Sequence, residues 1–136
     1  MTTKRYLEQE ERIGKLLDSK RSQVEKLKLS IGNMSVQTDK ERVQSSGISN
    51  PTADQATELA ELYRQIEFWQ KRRNTIIEQI ENVDDLKAYE VLLYRYIECR
   101  SAFDIADIMG LSEQSVWRHF VRARKIFEEL YGETYL

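Results

Sequence analysis

The 136-residue chain has few of the residues that interrupt helices, with one proline and five glycines. Charged side chains make up 32% of it, and glutamate, lysine, leucine, isoleucine, glutamine and arginine are abundant. β-rich domains need more turn-forming residues, so this composition predicts an all-α protein. The length suits one domain, or a compact domain with an extension.

The sequence also lacks a pair of cysteines and any long apolar run. Its one cysteine, Cys99, has no partner for an internal disulfide, which fits a reducing cytosol. We expect Cys99 to pack beside Ile97 as a small hydrophobic residue. No stretch approaches the ~20 apolar residues that span a bilayer, and no signal-peptide pattern is found. We therefore expect a soluble, cytoplasmic protein with no membrane partner.

Catalytic and metal-binding patterns are missing as well. His119 is the only histidine, so together with Cys99 it offers too few ligands for a zinc site of the usual kind. No Gly-rich phosphate loop or nucleophile elbow occurs. The acidic pair Asp84 and Asp85 precedes a helix, where such residues commonly act as caps. We expect no enzyme, no cofactor and no metal.

The clearest pattern in the sequence is a heptad repeat over residues 59–83. Its positions alternate spacings of three and four, which predicts a long helix with one packed face. Pro51 ends any upstream helix, and Thr52 or Asp54 can cap the new one. Arg73 interrupts the apolar seam. The apolar members of that seam are Leu59, Leu62, Ile66, Trp69, Ile76, Ile80 and Val83.

A more polar helix precedes this one, over roughly residues 3–31, and Gly32 is expected to end it. Glu10 and Lys20 occupy seam positions, and a pairing of either with Arg73 depends on the register of the two helices. The two helices predict an antiparallel, coiled-coil-like hairpin. The apolar seam of the first helix comprises Tyr6, Ile13, Leu17, Val24, Leu27 and Ile31.

Residues 33–51 form a connector rich in serine, glutamine, threonine and asparagine, in which "TDKERV" can form a helical turn. This connector exceeds ordinary helix–helix connections in length. We expect residues 1–83 to form the hairpin region and residues 84–136 a second domain. A two-helix hairpin is thin, so it either packs on its own core or forms an oligomerisation stalk with another copy. Both interpretations stay open from the sequence.

The last two helices of the second domain have the pattern of a helix-turn-helix. Ser101 and Ser112 are expected to be their N-caps, and Gly110 permits the left-handed turn between them. The small side chain of Ala106 allows the helices to cross closely. The expected buried face of the final helix repeats at spacings of four and three and comprises Val116, Phe120, Ala123, Phe127 and Leu130.

The other face of the final helix concentrates positive charge on an acidic protein. The chain has a net charge of -2, and from residue 84 onward seven Lys/Arg stand against ten Asp/Glu. Three polar side chains have the chemistry to pair with base edges, and three basic ones lie further along, where phosphates are expected. The first group is Glu113, Gln114 and Arg118, and the second is Arg122, Arg124 and Lys125.

Four other residues complete the candidate DNA-binding set. Ser112, as N-cap, leaves the first turn of the helix facing phosphates and base edges, and Ser115 lies in that turn. Trp117 is expected to contact DNA or a protein partner, and Val121 lies one turn after it on the outer surface.

The stretch "LLYRYIECRSAFDIADIMGLSEQSVWRHFVRARKIF", residues 92–127, resembles region 4 of bacterial sigma factors. That region has an aliphatic-rich helix, then S-x-x-x-I-A-x-x-x-G-[IL]-S, then V and R-A-R-K at this spacing. Together with the heptad-rich half and the "SSGIS" connector, the whole is similar to small phage proteins of Gram-positive hosts related to the ArpU/RinA-type late transcription regulators.

This resemblance implies a sequence-specific, double-stranded DNA-binding transcription regulator in the cytoplasm of a bacterial host, acting beside host RNA polymerase. Two features depart from the sigma pattern. No sigma region 2 accompanies the motif, so we expect no promoter melting. Trp117 stands where a polar or basic side chain is common on the DNA-facing surface.

Two other functions fit the same residues. A phage terminase small subunit, a DNA-packaging protein, also joins a helix-turn-helix to helical oligomerisation segments; a ring of eight or more copies would favour it. An RNA polymerase or sigma-factor adaptor would instead use Trp117 and Val121 to bind protein rather than DNA. Such an adaptor would not bind duplex DNA at low salt.

Overall fold

The structure is a computed structural model that describes residues 1–37 and 51–136, and for residues 33–37 it describes the backbone only. The predicted "TDKERV" turn lies outside the described residues. Within them the chain forms five α-helices and no strand, so the all-α prediction is confirmed. The helices are α1 (Thr3–Gln37), α2 (Ala53–Glu81), α3 (Leu86–Leu92), α4 (Ala102–Met109) and α5 (Glu113–Tyr131).

Two short helical turns complete the secondary structure. A π-helical turn, Leu93–Ile97, continues α3, and a 3₁₀ turn, Gly132–Thr134, follows α5. In the described part of the chain, every helix is too short or too polar to span a membrane.

α1 continues past the glycine that was expected to end it. Its last residue is Gln37. A glycine stop uses the left-handed conformation, and Gly110 is the only glycine with a positive φ among the described residues. Glycine inside a helix costs about 1 kcal/mol relative to alanine and does not forbid the helix. The predicted stop at Gly32 is therefore wrong, and the connector begins later than residue 33.

The chain divides into two compact units. One comprises residues 1–14 with 71–136, and the other comprises residues 15–70. The beginning of α1 and the end of α2 thus belong to the same unit as α3, α4 and α5. The boundaries of these units differ from those of the predicted domains, 1–83 and 84–136. That the two predicted domains are independent stays a prediction.

In the unit of residues 15–70, heptad positions of α1 and α2 face inward. Leu17, Val24 and Leu62 are buried. Lys20, the seam lysine, donates from Nζ to Oε1 of Gln65 at 2.6 Å. Further along α1, the Lys28 ammonium lies 5.8 Å from the ring centroid of Tyr63. From the Lys20–Gln65 contact to the Lys28–Tyr63 contact, the residue number rises in α1 and falls in α2. The two helices are therefore antiparallel in this unit, as predicted.

In the other unit, a buried ion pair crosses between α1 and α2. Glu10 is fully buried, and Arg73 Nε donates to its Oε1 at 2.7 Å. Gly14 faces the guanidinium, since a Cβ there would lie 3.4 Å from Arg73 Nη2, at ordinary contact distance. Of the two alternatives, Glu10 and not Lys20 is therefore the partner of Arg73. Leu7 is also fully buried, although the heptad register assigned that part of the seam to Tyr6.

The helices α3, α4 and α5 share an apolar core. Leu130, expected on the buried face of α5, is instead 54% exposed. An α-helix has 3.6 residues per turn, so a strict seven-residue repeat drifts around it. Tyr131 takes the place of Leu130, with its ring centroid 5.0 Å from that of Phe127. The buried side chains of this core include Val91, Leu92, Tyr96, Ile105, Ala106, Val116, Phe120, Ala123 and Phe127.

The C-terminal residues pack on the first turns of α1. The Tyr135 ring stacks on Tyr6 with centroids 4.1 Å apart and planes 9° from parallel. The hydroxyls of Thr3 and Tyr135 are 2.9 Å apart, within hydrogen-bonding distance. Burial raises the pKa of both tyrosines. These contacts explain why residues 1–14 belong to the unit that contains α5.

Cys99 does not pack as a small hydrophobic residue. It is exposed and has a φ of 56°, in the turn that links the π-helical turn to α4. Its Sγ lies 3.9 Å from the carbonyl oxygens of Tyr96 and Ile97. Tyr96, three residues earlier, is buried in the core, whereas Cys99 is exposed. Cys99 thus lies near Ile97 but is exposed, so the prediction that it packs there as a small hydrophobic residue is wrong.

Candidate nucleic-acid interface

α4, a tight turn and α5 form the predicted helix-turn-helix. Ser101 caps α4 by accepting from the Asp104 amide at 3.1 Å. Gly110 ends α4 in the left-handed conformation, with φ 67° and ψ 35°. The Leu111 amide then donates to the Ala106 carbonyl at 2.9 Å. These bonds close the end of α4 and set the direction in which the chain enters α5.

Ser112 is the N-cap of α5, as predicted. Its Oγ accepts from the Ser115 amide at 3.1 Å, and its backbone is extended, with φ -78° and ψ 157°. The two serine hydroxyl oxygens are also 3.1 Å apart. The cap satisfies one backbone amide of the first turn and leaves the others unpaired within the helix. Glu113 and Gln114, the next two residues, are exposed.

The buried side chains of α5 fix which side chains face outward. Val116, Phe120, Ala123 and Phe127 are at most 1% exposed. At about 100° per residue, Arg118 lies on the side of the helix opposite to them. Gln114 and Lys125 fall within about 40° of Arg118. We call Gln114, Arg118 and Lys125 the outer stripe of α5; all three are exposed.

The candidate DNA-binding residues differ in how accessible they are. Ser115 and Arg124 are half-buried, whereas the other eight are exposed. Arg118 forms no hydrogen bond or ion pair with any residue in the described part of the chain. The exposed members are Ser112, Glu113, Gln114, Trp117, Arg118, Val121, Arg122 and Lys125.

Trp117 both packs and remains accessible. Its ring meets Phe120 edge to face, with centroids 5.2 Å apart, and half of the residue is exposed. Val121, one turn later, is 60% exposed. The indole thus packs against the core at Phe120 while much of its surface stays accessible to a partner.

Arg124 lies on the flank of α5, about 120° around the helix from Arg118. It lines a surface cavity of about 450 Å³ together with residues from the start of α1, among them Thr3 and Lys4. Arg124 and the outer stripe are therefore on different sides of α5. Lys125 reaches both the stripe and the rim of this cavity.

Arg122 forms an ion pair with a residue at the start of α3. Its Nη2 donates to Asp85 Oδ2 at 2.5 Å, and its Nη1 donates to Oδ1 at 3.2 Å. Asp85 is also the N-cap of α3, since Oδ1 accepts from the Ala88 amide at 3.0 Å. The hydrogen bond from Arg122, followed by that from Ala88, lowers the pKa of Asp85 to about 2.

Sequence reasoning identified Asp84 and Asp85 as capping residues but missed the contact with Arg122. The two partners are 37 positions apart, and no local pattern in a sequence reports such a pairing. Among the described residues no group of three or more His, Cys, Asp or Glu side chains is arranged to hold a metal. His119 is half-buried on the side of α5.

A model of the sigma-70 region 4 family matches residues 87–126. The match begins in α3 and ends within α5, so it covers α4, the turn and the larger part of α5. This part of the chain thus carries a helix-turn-helix of the sigma region 4 type, as the sequence motif predicted. Sigma region 4 is a DNA-binding and regulatory domain, not a catalytic one. Comparisons with curated proteins and with solved structures gave no significant match.

Proposed function

We propose that the protein is a sequence-specific, double-stranded DNA-binding transcription regulator that inserts α5 into the major groove. The observation that carries the proposal is the position of Arg118. It is exposed, lies opposite the buried face of a serine-capped helix, and is unpaired within the described residues. A guanidinium placed in this way can form two hydrogen bonds to the O6 and N7 of guanine.

The other candidates take roles that depend on their place on α5. Gln114 lies on the same stripe as Arg118, one turn nearer the N-terminus, where it can pair with adenine. Glu113 can accept from cytosine N4, and Lys125 and Arg124 are assigned to phosphates. Trp117 is assigned to a thymine methyl or the sugar-phosphate wall. Ser112 and Ser115 bring the helix N-terminus to a phosphate.

The N-terminal helices are proposed to raise the affinity of the helix-turn-helix. A single such motif with a few phosphate contacts binds weakly at physiological salt. Dimerisation, or tethering to RNA polymerase, would multiply the affinity by about 10²–10⁴. In the unit of residues 15–70, Leu29, Tyr63 and Phe68 are exposed apolar side chains suited to contact with a second copy. We propose that this regulation is encoded by a phage and takes place in the cytoplasm of its bacterial host.

Selection of binding sites from random duplex DNA tests the proposal. We expect the wild-type protein to enrich one sequence, and Arg118→Ala to lose about 1–3 kcal/mol on it while accepting any base at one position. Arg12→Ala removes the same charge from an exposed position on α1 and should keep the wild-type preference. Identical preferences for wild type and Arg118→Ala would show that α5 does not read bases through this residue.

The exposure of Trp117 and Val121 favours one second candidate, an adaptor that binds RNA polymerase or a sigma factor through α5. The two residues are one turn apart and form a small apolar surface beside the outer stripe. An adaptor would retain polymerase subunits in a pull-down and would not bind duplex DNA even at low salt. Trp117→Ala should then abolish the pull-down, while Arg118→Ala should leave it intact.

A further inference from the structure

Arg122 lies on the proposed DNA-facing side of α5, yet its charge is already engaged. It follows Arg118 by one turn and is about 40° from it around the helix. An arginine at this place would normally reach a phosphate of the groove wall. Both of its terminal nitrogens instead donate to the carboxylate of Asp85, at 2.5 and 3.2 Å.

The position of the Asp85 carboxylate is fixed independently of Arg122. The carboxylate caps α3 by accepting from the Ala88 amide at 3.0 Å, with the extended backbone that an N-cap requires. The Asp85 side chain is 31% exposed and that of Arg122 is 54% exposed. Arg122 is thus the more exposed partner, and it lies against a carboxylate that α3 orients. A bidentate pair of this kind is stronger and more directional than a single contact.

We infer that Asp85 withholds Arg122 from DNA phosphates and thereby limits the binding of α5 to DNA of arbitrary sequence. The inference rests on the proposed function. A phosphate that approaches Arg122 also approaches the Asp85 carboxylate, and the two anions repel each other. Phosphate contacts strengthen binding to every sequence alike, whereas base contacts distinguish sequences. Asp85 therefore lowers the affinity of α5 for every duplex, DNA of arbitrary sequence included, without touching a base.

The chain provides a matched pair of variants for the test. Asp85→Asn removes the charge but keeps a side chain that caps helices as well as aspartate does. Asp84→Asn removes the same charge at the preceding position, which is exposed and forms no ion pair within the described residues. Binding of each variant to a random 20-base-pair duplex is measured over a series of salt concentrations. Circular dichroism confirms that the helix content is unchanged.

We expect Asp85→Asn to bind the random duplex roughly three- to tenfold more tightly than Asp84→Asn does. Its plot of log K against log salt should be steeper by about 0.9, the value of one added phosphate contact. Arg122→Ala should change little in the wild-type protein but should reverse the gain in the Asp85→Asn background. This non-additivity assigns the gain to Arg122 rather than to net charge.

Two results would overturn the inference, and they differ in what they say of the proposed function. If the wild-type protein binds duplex DNA but Asp85→Asn and Asp84→Asn have equal affinities and slopes, Asp85 does not restrain Arg122 and the proposed function stands. If neither wild type nor Asp85→Asn binds duplex DNA at low salt, both the proposed function and the inference are wrong.

Discussion

Two residues adopt the left-handed backbone conformation in the described part of the chain, and only one of them is glycine. Gly110 has φ 67° and ends α4, while Cys99 has φ 56° and precedes it. A residue with a Cβ pays about 1–2 kcal/mol in this conformation. A left-handed residue therefore lies on each side of α4. At the turn that leads into α5 this residue is glycine, which avoids the strain.

We predict that Gly110→Ala lowers the free energy of unfolding by about 1–2 kcal/mol. A Cβ at Gly110 meets nothing within 4 Å, so the cost is backbone strain and not a steric clash. Gly32→Ala is the control, because Gly32 lies inside α1 and also has open space around it. There alanine should stabilise the helix by up to about 1 kcal/mol. The free energies of unfolding of both variants are measured with denaturant. Equal effects at the two positions would contradict the assignment of backbone strain to position 110.

The ion pair between Arg122 and Asp85 predicts a pH dependence. The pKa of Asp85 in the folded protein is lowered to about 2, first by Arg122 and then by the Ala88 amide. An unfolded aspartate titrates near ~3.9. The contribution of the pair to stability is therefore complete above about pH 4 and is lost as the pH falls through about 2. Carboxyl NMR shifts should show the Asp85 pKa moving towards its ordinary value in Arg122→Ala. An unchanged titration would mean that the pair does not form in solution.

At the scale of helices, the contact between α1 and α2 combines an apolar seam with one buried charge. Glu10 is fully buried and its Oε2 has no hydrogen-bond partner among the described residues, while Arg73 is 28% exposed. Burying a carboxylate is costly unless a partner compensates it. Other registers of the two helices would separate Glu10 from Arg73, so the pair disfavours them.

We predict that Arg73→Met destabilises the protein by roughly 2–4 kcal/mol, because it leaves the Glu10 carboxylate buried without its partner. The value lies towards the low end of the range for buried pairs, since Arg73 is partly exposed. The double variant Glu10→Leu with Arg73→Met should recover most of this loss, because an apolar pair needs no compensation. Thermal unfolding of the two variants checks the prediction, and a double variant less stable than Arg73→Met would refute it.

Patterns within a few residues of each other predicted the caps and the turn of the helix-turn-helix. Ser112 and Gly110 have the roles that their sequence context indicated. Contacts between distant elements were harder to predict. The pair of Glu10 with Arg73 depends on the register of α1 and α2, and the pair of Arg122 with Asp85 depends on how α5 packs on α3. Leu130 was placed wrongly because helical periodicity drifts from a seven-residue repeat over several turns.

At the scale of the whole molecule, the location of positive charge matters more than its total. The net charge is -2, which opposes indiscriminate binding to nucleic acid. On α5 the Arg122 charge is paired with Asp85 and Arg124 lies on the flank, so Arg118 and Lys125 are the basic residues of the outer stripe. We therefore expect a modest number of phosphate contacts and a shallow salt dependence for an isolated helix-turn-helix.

Two lysine substitutions can distinguish the charge on α5 from the total charge of the protein. Lys125→Ala should weaken binding to all duplexes alike and reduce the slope of log K against log salt by about 0.9, the loss of one phosphate contact. Lys26→Ala makes the same change in net charge at an exposed position of α1. Lys26 is on α1 and not on the helix proposed to contact DNA, so its loss should leave the slope unchanged. Equal changes of slope in the two variants would mean that DNA responds to the total charge of the protein rather than to the outer stripe of α5.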